Sequence, residues 1–190
     1  MPRIFLALNF SVAATRKIAE EVERKKAPLA EAGFRVAWVP AANLHLTLKF
    51  LGSIGDELVD GVTGACRRVA ARHPPIEAKA IGLGAFPSPQ KPSVLWVGVE
   101  APPALAALQR DVEAAMVELG FDKEERAYHP HVTVGRVKEA RGSAADLWKS
   151  DALVGSSALG EIVVYESKTR SAGAEYVARA RVPLGDKEKR

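Results

Sequence analysis

A His-x-Thr motif occurs twice in this chain, in similar surroundings. The first copy reads LHLTL over residues 44–48, and the second reads PHVTV over residues 130–134. Polar and aliphatic residues alternate in both, which is the period of a half-buried β-strand. Alternation puts His45 and Thr47 on one face of the first strand, and His131 and Thr133 on one face of the second. The pattern predicts two strands that bury aliphatic side chains and present an imidazole and a hydroxyl opposite.

A single histidine on a strand is more often structural than catalytic, and threonine is common in strands for its own reasons. The duplication instead predicts one site divided between two strands. Two imidazoles on either side of a substrate can take a proton from water and protonate a leaving oxygen. This arrangement suits phosphodiester cleavage, in which attacking and departing oxygens lie roughly in line through phosphorus. The threonine hydroxyls would then donate to the non-bridging phosphate oxygens.

Composition sets broad limits on the function. The chain has 190 residues, enough for one domain or two small lobes with a shared core, and a net charge of +4. That charge is compatible with a phosphate-bearing substrate but does not indicate nucleic-acid binding by itself. The single cysteine, Cys66, excludes an internal disulfide. No signal peptide or membrane span is evident, so we expect a cytoplasmic monomer without membrane contact.

The sequence periodicities predict eight strands and four helices. Two of the strands carry the motifs, and the others are expected over residues 4–9, 35–39, 76–85, 93–99, 161–168 and 175–182. Helices are expected from an N-cap at Ser11 to Pro28, which would end or kink the helix, over 56–72, from Pro102-Pro103 to Leu119, and over 144–150. The predicted fold is α+β and mostly antiparallel: two lobes related by a pseudo-twofold axis, with a central cleft and outer helices. Residues 1–185 would form one domain, followed by a frayed charged tail over 186–190.

The motifs and their surroundings resemble the 2H phosphoesterases, and among them the RNA 2′,3′-cyclic phosphodiesterases, also called 2′-5′ RNA ligases. The similarity covers essentially the full chain and is carried by NLHLTLKFLG (43–52), PHVTVGR (130–136), RIFLAL (3–8), FP (86–87), PSVLWVGV (92–99), YES (165–167), EY (175–176) and PL (183–184). It implies hydrolysis of a 2′,3′-cyclic phosphate on RNA or a nucleotide to a 2′-phosphomonoester. By the same resemblance, His45 protonates the departing 3′-oxygen, His131 activates water, and Thr47 and Thr133 hold the phosphate. Reversible 2′-5′ ligation would exchange the two histidine roles.

Arg136 is a further phosphate-binding candidate, because the family carries an arginine associated with the site at this position. Simple alternation places Arg136 on the face opposite His131. A bulge at Gly135 would re-aim the arginine toward the histidine. The alternative is a solvent-facing arginine at a strand end.

Several other residues are weaker candidates. Lys49 is predicted on the His45 face, either toward the cleft or as a rim charge, and Arg126 matches a position that is often basic in the family. Candidates for contact with a base are Phe50, Phe86 and Tyr128. His129 and His131 form a His-x-His pair, but no cysteine or carboxylate has the sequence spacing expected of a third zinc ligand. No metal or other cofactor is expected, because hydroxyls, imidazolium and nearby basic side chains can meet the phosphate charge.

Three functions are compatible with these patterns. The leading one is a metal-independent phosphodiesterase for RNA or nucleotide 2′,3′-cyclic phosphates. A second is a non-catalytic module that binds a nucleotide or RNA end in the same groove, which the intact pair of motifs disfavours. A third is the same fold acting on another cyclic phosphate.

Overall fold

The structure, a computed structural model, describes residues 1–100, 102–170 and 173–185. The predicted tail over 186–190 lies outside the described residues. Within them the chain forms three helices, α1 (Val12–Glu31), α2 (Asp56–Ala70) and α3 (Pro103–Glu118), and a one-turn 3₁₀ helix (Ala41–Asn43). The described strands are β1 (Arg3–Leu8), β2 (Arg35–Trp38), β3 (Leu46–Ser53), β4 (Ile76–Ser88), β5 (Lys91–Glu100), β6 (His131–Glu139), β7 (Ser150–Leu159), β8 (Glu161–Arg170) and β9 (Gly173–Pro183).

The strands form one sheet in the order β7-β4-β5-β6-β3-β1-β8-β9, with β2 paired to β6. Every pairing is antiparallel, which confirms the α+β class with a mostly antiparallel sheet. The two motif strands, β3 and β6, are neighbours at the centre of this sheet. The motifs therefore lie side by side, whereas the sequence suggested opposite walls of a cleft.

Two halves of the sheet repeat one arrangement outward from the centre. One half runs β3-β1-β8-β9 and the other runs β6-β5-β4-β7. In each half a helix links the two inner strands along the chain: α1 follows β1 and precedes β3, and α3 follows β5 and precedes β6. Each of these helices packs on the opposite half, α1 against β7 and α3 against β3. Because each helix packs on the half that does not contain its flanking strands, the two helices connect the halves on one side of the sheet.

The apolar core lies between the sheet and the helices. Leu46 of β3 and Val132 of β6 are both fully buried in it, and full burial of such a side chain contributes about 1.5–3 kcal/mol. Helix α1 adds Ala14, Ile18 and Val22, together with Leu29 near its end. Because the aliphatic residues of both motifs point into this core, the polar residues of the motifs must face away from it.

Helix α1 begins as predicted but ends later. The hydroxyl of Ser11 accepts a hydrogen bond from the Ala14 N–H at 3.3 Å, which confirms the N-cap. The helix does not stop at Pro28 and continues to Glu31. A proline removes one helical hydrogen bond, but the buried Leu29 holds the following turn against the core. Gly33, with a positive φ of 84°, ends the helix instead.

Two other predictions were wrong in the second half of the chain. The strands predicted over 76–85 and 93–99 are longer in the structure, where β4 ends at Ser88 and β5 begins at Lys91, so a tight turn joins them. Residues 145–147 form a turn rather than part of a helix, and β7 already begins at Ser150. Trp148, in the same segment, is fully buried, and its Nε1 donates to the Gly84 carbonyl at 2.9 Å. Strand β7, which follows, was not predicted. Its small residues, such as Gly155 against Ala14 of α1, give a weak alternation pattern but allow close packing.

Among the described residues, no helix is both long enough and apolar enough to span a membrane.

Candidate active site

The two motifs meet where β3 and β6 pair. Leu46 and Val132 are register partners, and both are buried on the core side. Their neighbours along each strand therefore lie on the opposite, open face. Antiparallel register brings the residue before Leu46 alongside the residue after Val132. Each histidine thus lies next to the threonine of the other motif, His45 beside Thr133 and His131 beside Thr47.

Both imidazoles are held in the same way by the backbone. His45 Nδ1 lies 2.7 Å from the Asn43 carbonyl, and His131 Nδ1 lies 2.7 Å from the His129 carbonyl. A carbonyl oxygen only accepts, so Nδ1 must carry the hydrogen in both rings. In the neutral form this leaves Nε2 of each histidine without a proton. Both side chains are therefore oriented to accept or return a proton through Nε2.

Aromatic rings surround each histidine on the open face. His45 packs against Phe5, with ring centroids 4.9 Å apart, and edge-on against Tyr176 at 5.2 Å. His131 packs edge-on against Phe86 at 5.0 Å and lies 6.4 Å from Trp96. Phe86, Trp96 and His131 also line a cavity of about 280 Å³. The open face therefore offers apolar surface beside both proton-transfer groups.

This environment makes both histidines weaker bases than usual. Burial is the main cause that lowers the pKa of His45, and the nearby His131 lowers it further. Burial also lowers the pKa of His131, to which His129 adds a smaller repulsion. In each case the backbone hydrogen bond from Nδ1 acts in the opposite direction. The repulsion from His131 that lowers the pKa of His45 requires the two imidazoles to be within electrostatic range of each other.

Arg136 lies on the same face as the motif residues because β6 contains a register shift. Trp96 of β5 is opposite Thr133, Leu95 is opposite Gly135, and Val94 is opposite Arg136. Val94 and Trp96 share one face of β5 by alternation. Arg136 therefore shares the face of Thr133, and the extra residue in β6 is absorbed before Gly135. The Arg136 side chain is exposed there.

Glycine fits at position 135 because it has no side chain, and the space on the core side is already filled. A Cβ at this position would lie 2.7 Å from Val36 Cγ1 and 3.0 Å from the Trp38 ring, both shorter than normal contacts. Val36 and Trp38 of β2 therefore occupy the space that a side chain at 135 would need. A larger residue there would disturb the pairing of β2 with β6.

The first motif contains a matching shift, and it corrects the prediction for Lys49. Ala7 of β1 is opposite Thr47, Leu6 is opposite Lys49, and Phe5 is opposite Phe50. Because Leu6 is fully buried in the core, Lys49 points to the helix side and not to the His45 face. Its Nζ pairs with Glu113 of α3 at 2.6 Å, and only 6% of the Lys49 side chain is exposed.

Phe50 takes the position on the open face that simple alternation gives to Lys49. Its ring lies 5.7 Å from Phe5, and the residue is 68% exposed. Counted from the motif histidines, Phe50 and Arg136 occupy equivalent positions. One half of the site therefore presents an aromatic ring where the other presents a guanidinium group.

The comparisons with known proteins agree with this architecture. The family model of the 2′-5′ RNA ligase superfamily matches residues 14–164. An RNA 2′,3′-cyclic phosphodiesterase from Methanothermobacter thermautotrophicus is 34% identical over 178 residues, which cover 92% of this chain and 94% of that protein. The chain belongs to the 2′-5′ RNA ligase superfamily. The predicted resemblance to 2H phosphoesterases is thereby confirmed.

One further relative and two solved structures are also similar to this chain. A Thermotoga maritima RNA 2′,3′-cyclic phosphodiesterase is 33% identical, with 72% of this chain and 70% of that protein covered. The crystal structure of TT0787 from Thermus thermophilus has a TM-score of 0.81 and 25% identity, covering 96% of this chain and 98% of that one. E. coli LigT complexed with 3′-AMP has a TM-score of 0.77 and 24% identity, covering 97% and 99%, and shares the fold.

Three of the weaker candidate residues lie in the segment that precedes the second motif. Arg126 is exposed and bonded to Glu124 at 2.9 Å, and this contact lowers the pKa of the Glu124 carboxyl to about 2. Tyr128 donates its hydroxyl to the Thr47 carbonyl at 3.0 Å. His129 is exposed, and no cluster of three potential metal ligands occurs in the described parts of the chain.

Sequence reasoning missed the backbone acceptors of the two histidines and the contacts of the segment that leads to His131. The acceptors carry no residue signature, since any carbonyl two residues before the histidine can accept. The contacts of Lys49 and Tyr128 depend on a register shift and on a segment without regular secondary structure. Neither feature leaves a periodic pattern in the sequence.

Proposed function

We propose that this chain hydrolyses 2′,3′-cyclic phosphates of RNA ends or nucleotides to 2′-phosphomonoesters, with His45 and His131 as proton-transfer groups. The observation that carries the proposal is the pair of imidazoles next to the Leu46–Val132 pair that joins β3 and β6, each with Nδ1 bound to a carbonyl. Two Nε2 atoms are thus available for one reaction that needs both an acid and a base. Relatives named RNA 2′,3′-cyclic phosphodiesterases, which match most of the chain, support the same substrate class.

The reaction divides between the two histidines. Nε2 of His131 accepts a proton from water, whose oxygen attacks phosphorus as the bond from phosphorus to the 3′-oxygen breaks. His45, protonated at Nε2, gives its proton to the departing 3′-oxygen. The product carries a free 3′-hydroxyl and a 2′-phosphate. Each proton-transfer group typically contributes about 10²- to 10⁴-fold to the rate. Attack by a 5′-hydroxyl in place of water would give a 2′-5′ linkage, and its reversal would exchange the histidine roles.

The other three site residues hold the phosphate. The hydroxyls of Thr47 and Thr133 lie beside the opposite imidazoles and can donate to non-bridging oxygens, where negative charge grows in the transition state. The guanidinium of Arg136 can donate two parallel hydrogen bonds to the same group. All five site residues come from one chain, so we propose that the monomer is active. Light scattering at assay concentration would test the oligomeric state.

A direct assay tests this function. The purified chain is incubated with each nucleoside 2′,3′-cyclic phosphate in excess EDTA, and the products are distinguished by ³¹P NMR. We expect turnover that EDTA does not reduce, with the phosphate retained on the 2′-oxygen. A 3′-phosphate product would contradict the assigned bond cleavage.

The assay also separates the two alternatives. Calorimetric binding of a nucleoside 2′-monophosphate without any turnover would favour a binding module. Faster turnover of a cyclic phosphate that lacks a nucleoside would favour another substrate class. Neither alternative is favoured by a specific contact in the described residues.

A further inference from the structure

The strands that carry the two histidines are joined weakly by the sheet itself. Within the described chain, β3 and β6 share a single pair of register partners, Leu46 and Val132. Beyond this pair, β6 continues with β2 as its neighbour on that side. Two strands with so short a ladder have few backbone hydrogen bonds to fix their relative position. The proposed reaction nevertheless requires both imidazoles to reach one phosphorus.

The segment before His131 has little regular structure to support it. Residues 119–130 connect α3 to β6 and form neither helix nor strand. The stretch from Asp122 to Arg126 is exposed throughout. Apolar burial therefore cannot hold this stretch in place, and hydrogen bonds to the rest of the molecule become more important.

The buried pair Lys49–Glu113 supplies two of these hydrogen bonds. Lys49 Nζ donates to the Asp122 carbonyl at 2.8 Å, in addition to its contact with Glu113 Oε1. The same Glu113 oxygen accepts the backbone N–H of Glu124 at 2.9 Å. A lysine on β3 and a glutamate on α3 thus both hold the segment that delivers His131.

A third hydrogen bond comes from the other end of the segment. The Tyr128 hydroxyl donates to the main-chain carbonyl of Thr47. Thr47 is two residues from His45, and Tyr128 is three residues from His131. Partial burial of the Tyr128 ring raises the pKa of its phenol, so the hydroxyl keeps its proton near neutral pH. This bond joins the two motifs directly.

We propose that Lys49, Glu113 and Tyr128 act as positioning residues that fix the His131 segment against the His45 strand and so set the separation of the two imidazoles. These three residues are called the brace below. The proposal rests on the proposed function, since it assigns a role within the same two-histidine reaction. None of the three side chains has to touch the substrate.

The burial of the charged pair argues for a specific role. Removing two charges from water is costly, and an apolar pair of similar volume often gives equal or greater stability. The second oxygen of the Glu113 carboxylate, Oε2, is buried without a hydrogen-bond partner among the described residues. Stability alone therefore does not explain why this position holds an ion pair. The bonds to Asp122 and Glu124, which an apolar pair could not make, do explain it.

The test uses the double variant Lys49→Met with Glu113→Leu, which removes the hydrogen bonds without leaving one charge buried alone. We expect a melting temperature close to that of the parent chain, a kcat lowered by about tenfold to a hundredfold, and a nearly unchanged KM. A displacement of about 1 Å at a reacting group is enough for such a loss. Tyr128→Phe, which keeps the ring and removes one bond, should lower kcat by a smaller factor.

Two controls make the outcome decisive. Arg72→Ala disrupts the exposed contact with Asp111, which does not touch the segment, and should leave kcat unchanged. In the triple variant, which combines Lys49→Met, Glu113→Leu and Tyr128→Phe, kcat should fall by less than the product of the two separate reductions. Both sets of hydrogen bonds support one geometry, so their effects should not be independent. Parent-like kcat in a folded double variant would overturn the brace while leaving the proposed function intact. Absence of cyclic phosphodiesterase activity in the parent chain would instead overturn the proposed function.

Discussion

The β3 half and the β6 half of the site use the same backbone device to present different side chains. In each half the strand shifts register just after the threonine of the motif, at Lys49 in β3 and at Gly135 in β6. The next residue then turns to the open face. In β3 that residue is Phe50, and in β6 it is Arg136.

The two halves differ in the residue at the register shift, and the space on the core side explains this difference. Lys49 has a carboxylate partner in α3 and extends into the space below the sheet. Gly135 has no such space, since Val36 and Trp38 of β2 already fill it. The space below Gly135 is filled by side chains of the neighbouring strand β2, whereas the space below the β3 shift contains a carboxylate of α3. A pseudo-symmetric backbone can thus supply equivalent histidines and threonines while the flanking positions become specialised.

The largest predicted effect concerns the two histidines, for which we expect no difference between the halves. His45→Ala and His131→Ala should each reduce kcat/KM by about 10²- to 10⁴-fold, because each removes one proton-transfer group. The double variant should be little worse than either single variant, since the two groups serve one step. Steady-state kinetics with a nucleoside 2′,3′-cyclic phosphate would measure this. His73→Ala is the matched control, because His73 contacts Asp111 outside the site. Full activity in either motif variant would remove the basis for a shared site.

A smaller effect is expected for Arg136, where the halves differ. Arg136→Ala should lower kcat/KM by about 10²-fold, which is the usual loss when one donor to a developing negative charge is removed. Arg136→Lys should recover only part of this, because lysine cannot make the paired hydrogen bonds of a guanidinium group. Kinetics of both variants on one substrate would show the ranking. Equal activity of the alanine variant and the parent chain would place Arg136 outside the site despite its position on the open face.

The pH dependence of kcat/KM should reflect the lowered pKa values of the two histidines. Burial lowers the pKa of both below the ordinary value of 6.5. A reaction that needs one imidazole protonated and the other neutral is fastest between their two apparent pKa values. The maximum of kcat/KM should therefore lie below pH 6.5, with a loss of up to about tenfold per pH unit on the alkaline side as the acid loses its proton.

The residue next to the second motif offers a way to shift this profile. His129 lowers the pKa of His131 through repulsion, so His129→Ala should raise the pKa of His131 and move one limb of the profile to higher pH. The limb assigned to His45 should move little. A maximum above pH 7 in the parent chain would contradict the described environment of both rings.

The sequence allowed the motifs, the strand periodicity and the α+β class to be predicted, because alternation and the doubled His-x-Thr pattern are local signals. A glycine in a strand is also a local signal, and Gly135 therefore indicates a bulge. The equivalent shift at Lys49 has no such signal in the sequence, because a lysine does not mark a bulge. Consequently Lys49 was assigned to the wrong face.

The adjacency of β3 and β6 was also beyond local prediction. Strand order depends on contacts between segments far apart in the chain, and two half-buried strands of this type fit either a shared sheet or facing walls. Strand β7 was missed for a related reason. Gly155 and Ser157 of this strand are buried: Ala14 of α1 lies against Gly155, and the Ser157 hydroxyl accepts the N–H of Ser11, the N-cap of α1. Small residues of this kind give no hydrophobic period.

The smallest predicted effect belongs to Phe50, the counterpart of Arg136. Because Phe50 is exposed on the open face and separated from His45 only by Phe5, we expect it to contact the base of a substrate whose phosphate lies between the histidines. Stacking of one base on an aromatic ring is worth about 1 kcal/mol or more, so Phe50→Ala should raise KM about fivefold and leave kcat nearly unchanged. Ribose 2′,3′-cyclic phosphate, which has no base, should show no change in KM, and Phe50→Tyr should behave like the parent chain. If Phe50→Ala instead lowered kcat equally on both substrates, the ring would have to act on the phosphate site itself, and the division between an aromatic half and a cationic half would not hold.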